Sequence, residues 1–350
     1  MNRTVLIPLG GFLGAGKTTL IVSASRVLRS LGKRPAAILN DQGSDLVDTS
    51  VVCANGIAAD QVAGGCFCCR FSDLIDAAER LARYEPDVIF AEAVGSCTDI
   101  SATTLQPLKA EFGELFRVAP YTVLVDPRRA EDLFAGDSDL GFLFRKQIEE
   151  ADLICLNKAD LYTEFHADFA GPPTRYISAA TGRGVAEWLD EVMSGGIIGG
   201  SRILDIDYER YARAEAALAW LNCAAVIYPE TPASPGMVVG PLLDRLHDDL
   251  VRAGFEIAHL KLADHSGAGT LTASIVRNGD EPAVRGALDA SPAVRHDLLL
   301  NIRAAGDPEP LRGIVEQALA SVRGKVDVQS IACFSPAPPK PQHRFAHVVT

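Results

Sequence analysis

The sequence predicts an α/β fold: a mostly parallel sheet with helices on both faces, followed by a smaller α+β domain. The first observation is a set of continuous apolar runs, such as Val5–Ile7, Val88–Ala91 and Leu153–Leu156. Strands buried on both faces of a parallel sheet have this pattern. The second is a set of helix patterns between these runs, such as Leu74–Leu81 and Val185–Met193. The third is the length of 350 residues, which corresponds to about two domains.

Composition along the chain predicts four segments. Residues 1–195 hold the strand and helix patterns of the first domain, and residues 196–204 form a glycine-rich linker. Glycine-rich segments of this kind are flexible connections. Residues 205–334 are assigned to the second domain. Residues 335–350 form a proline-rich tail, which we expect to be mobile, either disordered or a weak ligand for a partner.

The second domain has patterns for both strands and helices but no clear catalytic motif. The predicted elements are a strand around Ala216–Ile227, a helix over about Pro241–Ala253, strands near Glu256–Leu262, Gly269–Arg277 and Val294–Ile302, and a helix over Leu311–Val322. This β-α-β-β-β-α order predicts an α+β sandwich with its helices on one face. We expect this domain to select a client protein.

A phosphate-binding loop lies between the first strand and the first helix pattern. The string Gly-Phe-Leu-Gly-Ala-Gly-Lys-Thr at 11–18 fills all four fixed positions of the P-loop motif, in the required strand–loop–helix context. Lys17 would meet the β- and γ-phosphates, and Thr18 would bind Mg²⁺. A chance glycine-rich turn is the alternative interpretation. The predicted nucleotide-binding residues here are Gly11, Gly14, Ala15, Gly16, Lys17, Thr18 and Thr19.

The preferred base is predicted by an Asn-Lys-x-Asp string that directly follows another buried strand. The carboxylate of Asp160 can accept hydrogen bonds from the N1 and N2 donors of guanine. Adenine has neither donor and would leave this carboxylate unpaired, at a cost of about 1–3 kcal/mol. We therefore predict GTP, with Lys158 along the base and Asn157 tied to the phosphate loop; a solvated turn is the alternative. Backbone N–H groups of Ser178 and Ala179 are predicted to contact the guanine oxygen.

Three of the eight cysteines, Cys66, Cys68 and Cys69, lie within four residues. No signal peptide or apolar run long enough to span a membrane is recognisable, so we expect a reducing compartment, where a disulfide is disfavoured. These spacings let thiolates converge on one ion, and soft donors suit Zn²⁺, Co²⁺ or Cu⁺ but not Mg²⁺ or Ca²⁺. A redox cysteine pair and inert cysteines are the alternatives. Three thiolates leave a tetrahedral site one ligand short.

The order of these motifs resembles that of the CobW-like metallochaperone GTPases, which are related to the nickel-insertion GTPases of urease and hydrogenase. The resemblance covers about residues 1–195. It implies a GTPase of the P-loop class that binds a transition metal at the cysteine motif and couples nucleotide state to metal delivery to a client protein. Zn²⁺ is the first expectation, with Co²⁺, Ni²⁺ and Fe²⁺ as the others.

The resemblance also implies roles for residues around the nucleotide. Asp41, in the string Asn-Asp-Gln-Gly, would be a switch carboxylate near both Mg²⁺ and the thiolates. Glu92 would hold Mg²⁺ through water or position the attacking water, and the N–H of Gly95 would sense the γ-phosphate. The expected catalytic residues are Lys17 and Glu92, and the expected magnesium ligands are Thr18, Asp41 and Glu92. Because no glutamine or arginine stands at an obvious catalytic position, we expect slow hydrolysis that a metal or partner accelerates.

The chain departs from the family pattern just after Gly95, where it reads Ser-Cys-Thr-Asp. Cys97 is a candidate for the fourth metal ligand, and Asp41 is the other candidate. A small buried residue that packs the switch is the alternative interpretation of Cys97, because free cysteine is often buried. No histidine-rich tract is present, which disfavours metal storage.

The chain carries 33 Lys and Arg against 45 Asp and Glu, a formal net charge of −12. This charge disfavours binding to nucleic acid and to anionic membranes. We expect a cytoplasmic protein whose partners are GTP, GDP and a metal-requiring client, with a nucleotide-dependent homodimer as a further expectation. Two alternative functions remain: a GTPase chaperone of a corrinoid-dependent enzyme, in which the cysteines only structure the switch, and a metal-responsive regulatory module without hydrolysis.

Overall fold

The structure is a computed structural model, and it describes residues 3–43, 47–134, 136–162, 164–165, 169 and 171–349. The chain divides into two compact units. The first unit comprises Met1–Gln42, Asp48–Glu215 and Pro338–Thr350, and the second comprises Gly43–Val47 and Ala216–Ala337. The boundary therefore lies at Glu215, and the C-terminal segment belongs to the first unit.

The first unit is built on a parallel sheet, as the α/β prediction requires. Its strands are β1 Thr4–Gly10, β2 Pro35–Asn40, β3 Ala58–Val62, β4 Val88–Glu92, β5 Phe116–Val118, β6 Thr122–Val125, β7 Leu153–Leu156 and β8 Thr174–Tyr176. The strand order is β3-β2-β4-β1-β6-β7-β8, with β5 also paired to β1. The strands β2, β4, β6 and β7 are buried along their whole length, which explains why their sequences are continuous apolar runs.

Helices cover both faces of this sheet. They are α1 Lys17–Ser30, α2 Val47–Ala54, α3 Phe71–Ala82, α4 Gln106–Phe112, α5 Pro127–Phe134, α6 Asp139–Glu150, α7 Val185–Ser194 and α8 Tyr208–Ala216, with a π-helical turn at Ser101–Leu105 before α4. Ile7 and Leu9 of β1 pack in one core with residues of α1 and α7. Leu6 of β1 faces the other way, against residues of α3 and α4. The predicted fold class is confirmed.

The second unit is an antiparallel sheet with two helices. Its elements are β9 Leu218–Pro229, α9 Pro235–Arg252, β10 Glu256–Ser266, β11 Gly269–Ile275, β12 Ala283–Gly286, β13 His296–Ala305, α10 Pro308–Ala320 and β14 Gly324–Phe334, and the strand order is β12-β11-β10-β13-β9-β14. Apolar residues of α9 and α10 share one core with the sheet. Within the described part of the chain, no helix is long and apolar enough to cross a membrane.

The glycine-rich segment after α7 is packed against the first unit, contrary to the predicted linker at 196–204. A Cβ on Gly199 would lie 2.4 Å from the carbonyl oxygen of Ala119. The carboxylate of Asp152 accepts hydrogen bonds from the backbone N–H groups of Gly200 (2.5 Å) and Ser201 (2.8 Å). The glycines here permit close backbone packing, and this use of glycine cannot be distinguished from a flexible linker by composition.

The proline-rich tail also differs from its prediction. The backbone N–H of Gln342 donates to the carbonyl oxygen of Cys68 (2.9 Å), and that of Phe345 donates to the carbonyl oxygen of Ala102 (2.9 Å). Arg344 forms an ion pair with the buried Asp99 (2.8 Å). These contacts fix residues of Pro338–Thr350 on the first unit, so the expectation of a mobile tail is wrong for this segment.

Candidate functional site

The phosphate-binding loop joins β1 to α1 and has a backbone that only glycine fits. Gly11 and Gly16 have φ values of 126° and 96°, which other residues rarely adopt. A Cβ on Gly11 would lie 2.3 Å from the carbonyl oxygen of Leu124, and one on Gly16 would lie 2.4 Å from Asn157 Nδ2. The loop therefore enters the N-terminus of α1 in one backbone conformation. The dipole of that helix favours an anion at its N-terminus.

Lys17 is the first residue of α1 and is buried. Its Nζ donates to the carbonyl oxygen of Gly11 at 2.8 Å, so the ammonium group lies beside the loop backbone. Gly14 and Ala15 complete the loop, and Thr19 lies in the first turn of the helix. The cation and the helix terminus together give this end of β1 a positive potential suited to phosphate.

Thr18 and Glu92 meet at the carboxyl ends of two neighbouring strands. Thr18 Oγ1 lies 3.1 and 3.0 Å from the two carboxylate oxygens of Glu92, which ends β4 beside β1. Thr18 Oγ1 also lies 2.8 Å from Asp48 Oδ1. One hydroxyl and two carboxylates are the hard oxygen ligands that Mg²⁺ prefers, so these residues fit that ion.

Asp48 is a residue that sequence reasoning missed, since no motif marks an acid in the first turn of α2. The acid predicted for this role, Asp41, directly follows β2 and is half-buried. Its backbone N–H donates to the carbonyl oxygen of Val62 at 3.1 Å, which fixes the start of the loop.

Asn157 connects the predicted base-binding segment to the phosphate loop. Its Nδ2 donates to the carbonyl oxygen of Ala15 (2.8 Å), and its Oδ1 accepts from the backbone N–H of Ala179 (2.9 Å). Lys158 has a left-handed backbone, with φ 61°, and its Nζ lies 2.5 Å from Asp126 Oδ2. Asp160 follows in an exposed turn, where its carboxylate is open to a ligand.

Ser178 and Ala179 have backbone N–H groups that bind other parts of the protein. The N–H of Ser178 donates to the carbonyl oxygen of Arg183 (2.9 Å), and that of Ala179 donates to Asn157. The expected donation from these two groups to the guanine oxygen would compete with both bonds. In the structure this loop positions Asn157, a role that a Ser-Ala pair in the sequence does not reveal.

The three clustered cysteines bring their sulfur atoms together in a tight turn between β3 and α3. Cys66 Sγ lies 2.7 Å from Cys68 Sγ and 3.4 Å from Cys69 Sγ, and Cys68 Sγ lies 3.7 Å from Cys69 Sγ. Cys66 and Cys68 are buried and Cys69 is half-buried, and all eight cysteines are free thiols. Within the described residues, this is the only group of three or more His, Cys, Asp and Glu ligand atoms close enough to hold a metal.

Asn40, the last residue of β2, holds the cysteine turn in place. Its Nδ2 donates to the carbonyl oxygens of Val62 (2.9 Å) and Gly65 (2.7 Å), and its Oδ1 accepts from the backbone N–H of Phe67 (2.8 Å). The residue next to Asn40 is Asp41, which begins the predicted switch loop. The side chain of Asn40 thus joins the end of β2 to the cysteine turn.

The thiols have unequal proton affinities. Hydrogen bonds from Cys68, Cys69 and Cys97 hold the pKa of Cys66 well below its ordinary value, in spite of burial. The pKa of Cys68 is raised well above the ordinary value, and that of Cys69 is raised to about 11, in both cases chiefly by the hydrogen bond to Cys66. Cys66 is therefore the most acidic thiol of the three.

Cys97 and Glu215 lie next to this cluster. Cys97 helps to lower the pKa of Cys66, and its Sγ lies 3.7 Å from Glu215 Oε1. The same carboxylate oxygen accepts from Ser96 Oγ (2.8 Å) and Gln42 Nε2 (3.3 Å). Burial raises the pKa of Glu215 to about 8. Glu215 is far from the motifs in sequence, so no local signal identifies it.

The tail covers one side of the cluster. The backbone N–H of Lys340 donates to Cys69 Sγ at 3.1 Å. Gln342 accepts from the backbone N–H of Ser72 (3.0 Å) through its side-chain oxygen. The half-buried state of Cys69 is thus partly due to a segment that is about 270 residues away in sequence.

Residues 5–171 match the model of a protein family described as the nucleotide-binding domain of CobW, HypB and UreG. Two curated proteins are similar over part of the chain. The zinc-regulated GTPase metalloprotein activator 1 of Schizosaccharomyces pombe is 29% identical over 164 residues, which cover 44% of this chain and 38% of that protein. The zinc chaperone CobW of a Sinorhizobium species is 32% identical over 183 residues, which cover 43% of this chain and 49% of that protein. The chain therefore spans less than half the length of these relatives.

Two solved structures are also similar. Zinc-bound YjiA GTPase from E. coli has a TM-score of 0.36 at 16% identity, over 92% of this chain and 100% of that one. HypB from Helicobacter pylori in complex with nickel has a TM-score of 0.43 at 15% identity, over 55% of this chain and 86% of that one.

Proposed function

We propose that this chain, whose residues 5–171 match the model of the CobW/HypB/UreG nucleotide-binding domain, binds and hydrolyses GTP and delivers a transition metal ion to a client protein. The metal ion is cargo, held by the thiols of Cys66, Cys68 and Cys69. Zinc is proposed first, because both curated relatives carry zinc in their names and because zinc suits thiolate ligands.

The nucleotide part of the proposal is supported by the loop and the residues around it. Lys17 and the α1 N-terminus would bind the phosphates, and Asp160 would select guanine. Thr18, Glu92 and Asp48 would hold Mg²⁺, which neutralises charge that develops on the phosphates during transfer. Glu92 would also orient the attacking water through its second carboxylate oxygen. Asp41 would be a switch carboxylate that moves toward Thr18, Glu92 and Asp48 when GTP is bound.

The coupling part is carried by one observation: a short stretch of chain joins the magnesium group to the thiols. Glu92 contacts Thr18, and five residues later Cys97 is near enough to Cys66 to lower the pKa of that thiol. Between them, a Cβ on Gly95 would lie 2.8 Å from Leu13 Cδ2 of the phosphate loop, so the backbone is packed tightly there. Loss of the γ-phosphate would move this stretch and change the position of Cys97, the candidate fourth ligand.

The test is the metal content of the protein in two nucleotide states. Protein loaded with a non-hydrolysable GTP analogue or with GDP is equilibrated with limiting zinc and a competing chelator, and bound zinc is measured by elemental analysis. We expect about one zinc per chain and an affinity that differs between the states by about tenfold, which requires about 1.4 kcal/mol.

Two variants complete the test. The triple variant Cys66→Ser, Cys68→Ser, Cys69→Ser should lose zinc, whereas Cys53→Ser, which changes an exposed cysteine, should keep it. Full zinc retention in the triple variant would contradict the proposed metal site. Equal zinc affinity in the presence of the GTP analogue and of GDP would contradict the proposed coupling. Transfer to a client is tested by adding zinc-requiring apo-enzymes to the zinc-loaded protein. A dimer that forms only with GTP is tested by measuring the mass in solution in each nucleotide state.

A further inference from the structure

We propose that Asn222 and Asn301 of the second unit position Asp48, so that Mg²⁺-dependent binding of GTP responds to the state of that unit. Asp48 belongs with Thr18 and Glu92 to the magnesium group. This inference rests on the binding of GTP and Mg²⁺ proposed above and gives the antiparallel sheet domain a part in it. The two asparagines are positioning residues, since their effect on the ion passes through Asp48.

The loop between β2 and α2 belongs to both units. The chain leaves the first unit after Gln42, contributes Gly43–Val47 to the second unit, and returns to the first unit at Asp48. Within the first unit, Asp48 Oδ1 lies 2.8 Å from Thr18 Oγ1. A shift at Val47 is therefore passed to Asp48 across a single peptide bond.

Asn301 lies on β13 and holds the first residue of α2. Its Oδ1 accepts a hydrogen bond from the backbone N–H of Val47 at 3.0 Å, and its Nδ2 donates to the carbonyl oxygen of Leu300 at 3.1 Å. The N–H groups in the first turn of a helix have no partner within the helix, so an acceptor supplied there fixes where the helix begins. Asn301 and Val47 are 6% and 3% exposed, which keeps water from replacing this bond. Because Asp48 is the second residue of α2, the bond also sets the position of its carboxylate.

Asn222 lies on β9 and contacts the other end of the loop. In the antiparallel pairing of β9 with β13, Asn222 is directly opposite Asn301. A Cβ on Gly43 would lie 1.8 Å from Asn222 Nδ2 and 2.7 Å from its Cγ, so the backbone of Gly43 packs closely against this amide. The paired asparagines therefore contact both the first and the last residue that the loop contributes to the second unit.

Both amides lie on the face of the sheet that is turned away from α9 and α10. Their neighbours along the two strands belong to the core shared with those helices; they are Leu221, Cys223, Leu300 and Ile302. Since successive side chains of a strand point to opposite faces, the asparagines point away from that core. A buried amide is unfavourable unless its polar atoms have partners. Binding the loop gives these amides such partners, so the loop and this face of the sheet stabilise each other.

The connection acts in both directions, because linkage between two ligands is reciprocal. An ion held by Asp48 favours the loop conformation in which Val47 is bound to Asn301. A client that displaces β9 or β13 on binding would weaken that conformation and with it the affinity for Mg²⁺ and GTP. The second unit thus has a route by which client binding reaches the nucleotide.

The test measures the affinity for a fluorescent GTP analogue, by titration, at a series of Mg²⁺ concentrations. Asn301→Leu keeps the size of the side chain and removes the acceptor, so it should raise the Mg²⁺ concentration for half-maximal binding about tenfold. Affinity measured in EDTA should not change, because the phosphate loop is intact. The matched control is Asn278→Leu, which removes another asparagine acceptor of the second unit, bonded to the backbone N–H of Ile257 at 2.8 Å. It should leave the Mg²⁺ response unchanged.

Combined variants show whether the effect passes through Asp48. Asp48→Asn alone should raise the Mg²⁺ requirement about tenfold, and adding Asn301→Leu should raise it no further, because the route to the ion is already lost.

Gly43→Ala tests the other end of the loop and leaves the strands of the sheet untouched, so it applies even if Asn301→Leu does not fold. It should raise the Mg²⁺ requirement, since the new Cβ would overlap Asn222. Adding Asn222→Ala should restore part of the response by making room.

The outcomes separate this inference from the function on which it rests. An equal Mg²⁺ response in Asn301→Leu and Asn278→Leu, or additive effects of Asn301→Leu and Asp48→Asn, would overturn the role of Asn301 and leave the proposed function standing. An unchanged Mg²⁺ response in Gly43→Ala would overturn the link through the loop. If the unmodified protein binds no GTP analogue, or binds it without regard to Mg²⁺, the proposed magnesium group fails and the positioning role fails with it.

Discussion

Thr18, Glu92 and Asp48 show how the structure adds to a motif at the scale of single residues. Thr18 belongs to the phosphate loop and Glu92 ends a buried strand, so both were predictable from the sequence. Asp48 reaches Thr18 from the first turn of α2, and its role depends on how a loop folds back over the sheet. The same holds for Glu215, whose neighbours come from loops more than 100 residues away. Side chains brought together only by tertiary packing have no local pattern that could reveal them.

Glu92→Gln should bind GTP with little change and hydrolyse it about 10- to 100-fold more slowly, because the amide removes the negative charge beside Thr18 and Mg²⁺. Single-turnover hydrolysis and nucleotide-binding assays measure the two effects separately. Glu131→Gln, which changes an exposed glutamate on α5, is the matched control and should keep the unmodified rate. A normal rate in Glu92→Gln would mean that this carboxylate takes no part in the chemical step.

Glu150 should make the stability of the chain depend on pH. Burial raises its pKa well above the ordinary value of 4.5, with the charges of Asp99 and Asp152 adding to the effect. The folded state therefore holds a proton that the unfolded state releases above pH 4.5. The stability contributed by this proton is fully present below that pH and is lost as the pH rises toward the raised pKa.

Glu150→Gln should remove this dependence. The free energy of unfolding of the unmodified protein, relative to the variant, should fall by about 1–3 kcal/mol between pH 5 and pH 8. Urea denaturation of metal-free protein at several pH values measures it. Parallel pH profiles for the two proteins would show that Glu150 is not protonated in the folded state.

At the scale of elements, the sequence predicted buried strands well and exposed or unusual elements poorly. The strand β14 was not predicted, because it is an edge strand with little buried surface and its sequence lacks a strong apolar pattern. The helix α9 begins at Pro235, whereas Pro241 was expected to start it. Proline is favoured in the first turn of a helix, and with two prolines in the segment the pattern did not decide between them.

The tail is the element whose prediction failed most clearly, and it allows a direct test. Removal of residues 338–350 should expose Cys69, since Lys340 and Gln342 would no longer cover the cysteine turn. The reaction of Cys69 with a thiol reagent in metal-free protein, followed by mass spectrometry, should become faster, whereas that of the exposed Cys53 should not change.

Arg344→Gln is a milder form of the same test. It should lower the free energy of unfolding by about 1–3 kcal/mol, because it weakens the pairing of the buried Asp99. The control Arg312→Gln removes an exposed ion pair with Glu316 and should have no measurable effect. For the truncation described above, equal reactivity of Cys69 in the full chain and in the chain without residues 338–350 would show that the tail does not shield the cysteine turn.

At the scale of the whole molecule, the motifs predicted the first unit because each motif requires a particular local structure. The P-loop requires a strand and a helix, and Asn-Lys-x-Asp requires a strand end, so together they define a parallel sheet. The boundary between the units was harder to predict. A glycine-rich segment at 196–204 looks flexible in sequence, yet it is held by backbone hydrogen bonds to Asp152. Composition reports the freedom of an isolated segment and carries no information on the surface that binds it.

The proposed coupling also makes a prediction for the molecule as a whole, because linkage between two ligands is reciprocal. If zinc binds about tenfold more tightly in one nucleotide state, then zinc must shift the ratio of GTP to GDP affinities by the same factor. Nucleotide affinities are measured by fluorescence titration with and without saturating zinc, and Cys97→Ser is measured alongside. Since Cys97 lies between Glu92 and Cys66 in the proposed path, the variant should reduce the shift while leaving GDP affinity unchanged. A zinc-independent ratio of affinities would show that the two sites act separately, even if each binds its own ligand.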